Sequence, residues 1–352
     1  YGEVYFLRAY YYFELVKFFG DVPLFTEARL TAGQAGTLTR TPKDEVYAQI
    51  ELDLQNAIAS LPNSQSQVGR VNKYTAYALL GKVLLYQDKF AEAASALDNV
   101  IGVYSLVSDY GSQFLRFGEN GPESVFEIQY SNQSNWYDWG CAHCSEGNYA
   151  IIMNGPRGWS GPEYAQGWSF NVPTEEFYNS FEEGDSRRDA TVLDIEAFAA
   201  ATGASYTEGY DHTGYFNNKY IPRAGESGGQ TELNYLTNFR IIRYSDVLLM
   251  AAEAYNRGGI DDGLAQEFLN QVRRRAFGGD DNDISASGSA LTDAIWEERK
   301  FELSLEGHRF FDLVRTGRAS SLIAGFVEGK HEVFPIPQQE VDISGLTQNA
   351  GY

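Results

Sequence analysis

Apolar positions along most of the chain recur every three or four residues, which is the spacing of one buried helix face. Over 41–61 this spacing is kept by Tyr47, Ile50, Leu54, Ile58 and Leu61. Thr41 suits the N-cap of a helix there, and Pro42 suits the first helical position. We therefore expect a helix over 41–61, and the opening segment predicts another helix that ends near Phe18.

Two stretches have the pattern of a TPR-like helix pair, in which small residues let two helices approach and large residues fill the space between them. In the first stretch, 74–101, these positions are held by Gly81, Ala93 and Leu97. In the second, 245–276, residues 247–252 are apolar nearly all round, as expected of a helix that is covered on both sides. The fold is therefore predicted to be mainly α, a TPR-like solenoid of helical pairs.

The middle of the chain interrupts this helical pattern with short alternating segments and long loops. Residues 124–130 alternate like a half-buried strand, and four of the five Trp lie between 132 and 170. Long loops of this kind are usually functional. We therefore divide the chain into a helical scaffold, a loop-rich ligand-binding insertion with short β-strands, and a second scaffold part with an extended tail, over 1–117, 118–240 and 241–352.

Composition and charge exclude several functions. The 352 residues carry a formal net charge of -21, so phosphate backbones would repel the chain and no nucleic-acid partner is expected. No apolar run reaches the roughly 18–20 residues that span a bilayer. The chain opens directly inside an amphipathic pattern, without a leader, and we expect that its N-terminus is truncated.

Two loop segments have the composition of a carbohydrate site. A sugar ring offers an apolar face and a rim of hydroxyls, which flat aromatic side chains and Asn, Asp or Arg can satisfy. Segments 135–140 and 154–161 combine these residue types. Trp168 is expected to be structural and Trp296 to be a core or helix contact. The predicted ligand-binding residues are Trp136, Tyr137, Asp138, Trp139, Tyr149, Asn154, Arg157 and Trp159.

The sequence gives little support to a catalytic alternative. It contains no nucleophile elbow, phosphate loop or His-Glu-x-x-His motif. Glu298, Glu302 and Glu306 recur on one helix face, and ion pairs with the nearby Arg299, Lys300 and Arg309 explain them better than a glycosidase carboxylate pair. We therefore predict no enzyme activity, no cofactor and no metal.

The two cysteines, Cys141 and Cys144, leave three alternatives open. They form a disulfide that staples the loop, they are free thiols, or they take part in redox or metal chemistry.

Four stretches resemble, in the same order, the SusD/RagB family of Bacteroidetes surface lipoproteins. Together they extend over essentially the whole chain. They are Arg8–Leu24, the helix pair that begins at Gly69, Asn171–Asp189, and a fourth stretch from Arg243 through Glu297–Arg299 to Leu313.

This resemblance implies a non-catalytic protein that captures oligo- or polysaccharides for a SusC-like TonB-dependent transporter. It also implies a place on the extracellular face of the outer membrane, with a lipid anchor in the full-length protein. The family's signal and lipidated cysteine are absent from this chain. A peptide-capturing member, or a transporter-capping subunit without its own ligand site, are the alternatives. The acidic composition is compatible with a marine source and hence an algal glucan, but it identifies neither sugar nor linkage.

Overall fold

The computed structural model describes residues 1–27, 29–133, 139–228 and 231–352, and helices dominate it. Among the described residues, no helix combines the length and the apolar character that crossing a lipid bilayer requires. The α-helices are α1 Gly2–Phe19, α2 Ala32–Ala35, α3 Lys43–Ser60, α4 Lys73–Leu85, α5 Phe90–Asp98, α6 Ala150–Met153, α7 Glu175–Asn179, α8 Arg187–Thr191, α9 Ile195–Thr202, α10 Tyr244–Arg257, α11 Asp262–Phe277, α12 Gly288–Leu303, α13 Arg309–Arg315, α14 Ala319–Leu322 and α15 Gln338–Ser344.

The described strands are short and pair two by two in antiparallel ladders: β1 with β6, β2 with β4, and β3 with β5. The predicted strand near 124 is confirmed as β1, whereas its partner β6 was not predicted. The strands are β1 Ser124–Ile128, β2 Arg157–Ser160, β3 Val192–Asp194, β4 Ser205–Thr207, β5 Tyr215–Asn217 and β6 Phe239–Arg243. Together with α6–α12 they confirm a mainly α fold that carries an insertion with short strands.

The chain forms two compact units, Tyr1–Val100 with His308–Tyr352, and Ile101–Gly307. These bounds differ from those of the predicted segments 1–117, 118–240 and 241–352.

In the first unit, helices pack side by side in the order α1, α3, α4, α5. The predicted helix pair over 74–101 is confirmed, because Gly81 lies directly beneath Leu97. A Cβ placed on Gly81 would come within 2.5 Å of Leu97 Cγ. The helix predicted over 41–61 is also present, but its predicted cap is wrong. Pro42 is the N-cap and the Asp21 carboxylate accepts a hydrogen bond from the Lys43 amide at 2.8 Å, while Thr41 pairs with Val22.

The second unit contains the other predicted helix pair, α10 and α11, with α12 packed on α10. Residues 247–252 are all completely buried, which confirms the prediction of a helix covered on both sides. The glutamates Glu298, Glu302 and Glu306 are ion-paired, as predicted, and their described partners include residues distant in sequence. They pair across the unit with Arg187, Arg243, Arg273, Arg275 and Lys219, while Arg299 pairs with Asp246.

Candidate ligand-binding groove

A groove of about 550 Å³ opens on the Ile101–Gly307 unit. Its lining mixes aromatic rings with carboxylate, amide, hydroxyl and guanidinium groups. The lining residues are Arg157, Trp168, Ser169, Phe170, Asn171, Val172, Glu208, Gly209, Tyr210 and Asp211. This is the combination that can cover the apolar face of a sugar ring and also satisfy its hydroxyls.

One wall of the groove is held by main-chain hydrogen bonds to the segment 152–155. The amides of Trp168, Ser169 and Phe170 donate to carbonyls of residues 152, 155 and 153, each at 2.9 Å. Gly167 makes this close approach possible, because a Cβ there would lie 1.8 Å from the Asn154 carbonyl oxygen. The wall is therefore fixed by backbone geometry, which limits how far its side chains can shift.

Three lining residues other than glycine have left-handed backbone conformations. Ser169, Asn171 and Asp211 have φ of 58°, 53° and 54°. Asn and Asp tolerate this region better than Ser does. Such conformations persist where the surrounding structure enforces them, and they are frequent at binding sites. The backbone on both sides of the groove is thus held in uncommon conformations.

A pair of stacked indoles borders the groove. The rings of Trp139 and Trp168 lie 5.7 Å apart with an interplanar angle of 26°, and we call them the tryptophan pair. Trp139 is 50% exposed, and its Nε1 donates a hydrogen bond to Glu232 Oε2 at 2.8 Å. Trp168 packs on the core cluster around Tyr220. Trp168, which was predicted to be structural, therefore contacts the core and also lines the groove.

Of the predicted ligand-binding residues, Arg157 lines the groove and Trp139 contacts its lining. Arg157 Nε donates to the Trp168 carbonyl oxygen at 2.7 Å, and its guanidinium lies 5.8 Å from the centre of the Phe170 ring. Two further rings are well exposed, Phe170 at 53% and Tyr210 at 92%. Aromatic surface and a cationic donor therefore meet in one place.

Other predicted residues lie elsewhere. Trp159 packs with Tyr164 and Phe198, at ring distances of 5.9 Å each, and it is not among the lining residues. Asn154 is buried and its amide donates to the Tyr220 carbonyl oxygen at 2.9 Å. Tyr149 is exposed but also outside the lining. Trp136, Tyr137 and Asp138 lie outside the described residues.

The lining residues that sequence reasoning missed come from two segments, 169–172 and 208–211. The first lies in the predicted insertion, but it overlaps the family framework stretch that begins at Asn171 and was therefore not predicted to contact ligand. The second, Glu208-Gly209-Tyr210-Asp211, has the same mixture of aromatic, acidic and Gly residues as the predicted loop 135–140. That composition was the available signal for it.

Cys141 and Cys144 form a disulfide within the 3-10 segment Trp139–Cys144. Of the three alternatives left open by the sequence, the disulfide is therefore confirmed.

A second cavity in the same unit is slightly larger, about 620 Å³. Its two guanidinium groups are already engaged: Arg274 pairs with Glu267 and Asp283, and Arg275 pairs with Glu123 and Glu302. No tryptophan is among its described lining residues. The smaller groove has the better exposed aromatic surface and is the better candidate site.

The glutamates of α12 and the turn after it do not face this groove. Burial alone would raise the pKa of Glu302, but Arg275, Arg243 and Arg187 lower it well below its ordinary value. A carboxylate that stays ionised inside an ion cluster is unsuited to be a general acid. In the described part of the chain, no group of three or more His, Cys, Asp and Glu residues could hold a metal ion.

Fold and groove together define a helical-repeat protein with a loop-built, aromatic-lined groove. The sequence matches a family model described as the SusD family over residues 194–325, and one described as starch-binding associating with outer membrane over residues 1–85. SusD-like protein P2 of Formosa agariphila is 30% identical over 382 residues, covering 100% of this chain and 74% of that protein. SusD-like protein P38 of the same organism is 27% identical, with coverages of 100% and 73%.

Solved structures agree with this relationship. A laminarin binding SusD-like protein has a TM-score of 0.91 and 40% identity, covering 100% of this chain and 78% of its own. Surface glycan-binding protein A from Bacteroides thetaiotaomicron, in complex with laminarihexaose, has a TM-score of 0.87 and 31% identity, with coverages of 99% and 77%. The chain belongs to the SusD/RagB family.

Proposed function

We propose that this protein binds oligo- or polysaccharides at the surface of the outer membrane, without cleaving them, for transfer to a SusC-like TonB-dependent transporter. The observation that carries the proposal is the tryptophan pair at a groove that also exposes Phe170 and Tyr210. The extracellular face, the lipid anchor of the full-length protein and the transporter partner are proposed from family membership alone.

We propose a laminarin-type glucan as the ligand. Two related structures are described as binding laminarin or holding laminarihexaose, at 40% and 31% identity to this chain. A neutral glucan also suits the charge of the groove, because Glu208 and Asp211 outnumber Arg157 in its lining and would repel uronate or sulfate groups. Among the predicted residues, we assign ligand contact to Trp139 and Arg157, and a supporting role to Trp159 and Asn154.

The first test is calorimetric titration of the protein with laminarin, with starch and with the anionic glycan alginate. Saturable binding of laminarin and none of alginate are expected. Trp139→Ala should weaken binding by about tenfold, because a sugar ring loses the apolar surface that it covers. Phe117→Ala is the matched control, since Phe117 is 78% exposed but outside the groove lining. Trp159→Phe should also leave the affinity within about twofold.

Two outcomes contradict the proposal. Failure of every glycan to bind a folded protein would favour peptide capture or a transporter-capping role. Release of reducing ends from laminarin during incubation would show catalysis and refute a binding function without cleavage.

A further inference from the structure

The tryptophan pair depends on a loop that is tied down at both ends. Trp139 is the first residue of the 3-10 segment Trp139–Cys144. The disulfide begins two residues later, at Cys141, and ends at the last residue of the segment, Cys144. The exposed face of the pair is Trp139, because Trp168 packs on the core cluster. The position of Trp139 therefore depends on what fixes this loop.

Three anchors of the loop lie on one neighbouring segment, 232–234. On one side of the disulfide, the Trp139 indole donates to the Glu232 carboxylate at 2.8 Å. On the other side, Ser145 Oγ donates to the Leu233 carbonyl oxygen at 2.7 Å. Beyond it, Gly147 approaches Asn234 so closely that a Cβ would lie 2.4 Å from the Asn234 Cα. The disulfide thus lies between two fixed points and limits the conformations of the residues that join them.

We propose that the Cys141–Cys144 disulfide and Glu232 are positioning elements of the ligand site, and that reducing the disulfide weakens glycan capture. This inference rests on the proposed function. In the oxidised loop, Trp139 is held against Trp168 before the ligand arrives. In the reduced loop, Trp139 must be ordered during binding, and the lost conformational freedom is subtracted from the affinity.

The effect is expected to be local. A disulfide stabilises a fold more when it closes a longer loop, and this one joins cysteines only three residues apart in sequence. The Cys144 residue is exposed, so a soluble reductant can reach the bond. The reduced protein should therefore keep its fold while its tryptophan pair becomes loose.

The test is a coupling experiment with laminarin. The Cys141→Ser/Cys144→Ser double variant should bind about threefold to tenfold more weakly than the oxidised wild type. Trp139→Ala should bind more weakly still, and adding the two serines to it should cause no further loss. A double variant that binds like the wild type overturns the inference. So does a loss that adds in full to that of Trp139→Ala, because the disulfide would then act through something other than Trp139.

Glu232 offers a conservative rescue. Glu232→Gln keeps an oxygen that accepts from the Trp139 indole, so its affinity should stay near that of the wild type. Glu232→Ala removes the acceptor and should weaken binding about as much as loss of the disulfide. Equal affinities of the Gln and Ala variants would overturn the role of Glu232.

A ligand-free measurement separates this inference from the proposed function. Two stacked indoles couple their ultraviolet transitions and give a paired band in circular dichroism. This band should be present in the wild type, absent in Trp139→Ala and reduced in the double serine variant. If the wild type binds no glycan, the proposed function fails, and the band alone decides the positioning role. An unchanged band in the double variant overturns it.

Discussion

Glu302 is a charged residue to which solvent has no access. Its side chain is 0% exposed, and it accepts hydrogen bonds from Arg275 at 2.6 Å, Arg243 at 2.9 Å and Arg187 at 3.1 Å. A buried charge is tolerated when it has partners of opposite charge, and losing one partner leaves the remaining charges uncompensated. The position thus requires a carboxylate, not merely a side chain of the same volume.

Glu302→Gln keeps the shape of the side chain but removes its charge, and it should lower the free energy of unfolding by about 3–5 kcal/mol. Glu297→Gln is the control on the same helix, because that carboxylate is 51% exposed and pairs with Lys300 on the surface. Its effect should stay below about 1 kcal/mol. Urea unfolding followed by circular dichroism measures both. Similar small losses in the two variants would show that the buried cluster contributes no more than a surface pair.

At the scale of secondary-structure elements, helix pairing depends on which residues allow close approach. The pair α4 and α5 meets where Leu97 of α5 occupies the space above Gly81 of α4. The N-terminus of α4 is fixed independently by a capping box between Asn72 and Thr75. The helix therefore forms locally, and Gly81 determines how near its partner lies.

Gly81→Ala should lower the free energy of unfolding by about 1–3 kcal/mol, because the added methyl group forces Leu97 or its helix to move. Gly33→Ala in α2 is the control, since a Cβ there meets no atom within 4 Å. It should change stability by no more than about 0.5 kcal/mol. Adding Leu97→Val to Gly81→Ala should recover part of the loss. Equal urea midpoints for Gly81→Ala and Gly33→Ala would contradict this packing argument.

Over the whole molecule, buried tyrosines couple folding to alkaline pH. Burial raises the pKa of Tyr47, Tyr110 and Tyr220, and it raises the pKa of Tyr235 to about 12. In the unfolded chain these hydroxyls should lose their protons near pH 10, because the pKa of tyrosine in model peptides is about 10. Their stabilising contribution is therefore complete below about pH 10 and is lost as the pH rises towards the folded-state pKa values.

Lys219 acts in the opposite direction, because burial lowers its pKa to about 8. Burial also lowers the pKa of Lys17. Stability should thus rise slightly between about pH 8 and 10 and then fall, because the four buried tyrosines outnumber these two lysines. A pH titration that follows tyrosinate absorbance and helical circular dichroism together should show a cooperative joint change above pH 10. Tyr47→Phe should move that transition to higher pH. Ionisation of every tyrosine with the helices intact would contradict the expectation.

Features that depend on residues close together in the sequence could be predicted, whereas features that depend on residues far apart in the sequence could not. The helix pairs depend on residues three or four positions apart, so Gly81 and residues 247–252 were predicted correctly. Strand β6 depends on β1, more than a hundred residues earlier in the chain, and its own sequence, Phe239–Arg243, carries no alternation strong enough to reveal it. The ion partners of Glu302 are likewise distant, 59 residues away for Arg243 and 115 for Arg187.

The candidate site was predicted in its chemistry but only partly in its residues. The composition of the loops indicated aromatic and polar ligand contacts. Two of the residues predicted from it lie at the groove, because Arg157 lines it and Trp139 stacks on Trp168, and their contact with ligand stays a prediction. It could not distinguish Trp159, which packs against Phe198, from Trp168, which lines the groove. That difference is set by hydrogen bonds between segments 152–155 and 168–170, and no local pattern encodes them.

The buried ion cluster also has a consequence for the order of synthesis. Arg187 and Arg243 leave the ribosome before Glu298, Glu302 and Glu306 exist, and Lys219 does so too. Until residue 298 has been added, the nascent chain offers these cations none of the three carboxylates, and the set is complete only at residue 306. A nascent chain interrupted earlier would leave Lys219 without the Glu306 carboxylate, and Arg187 and Arg243 would keep only Asp185 and Glu123 among these partners. The interior of this unit can therefore be completed only late in translation, and an early release yields a chain that cannot close it.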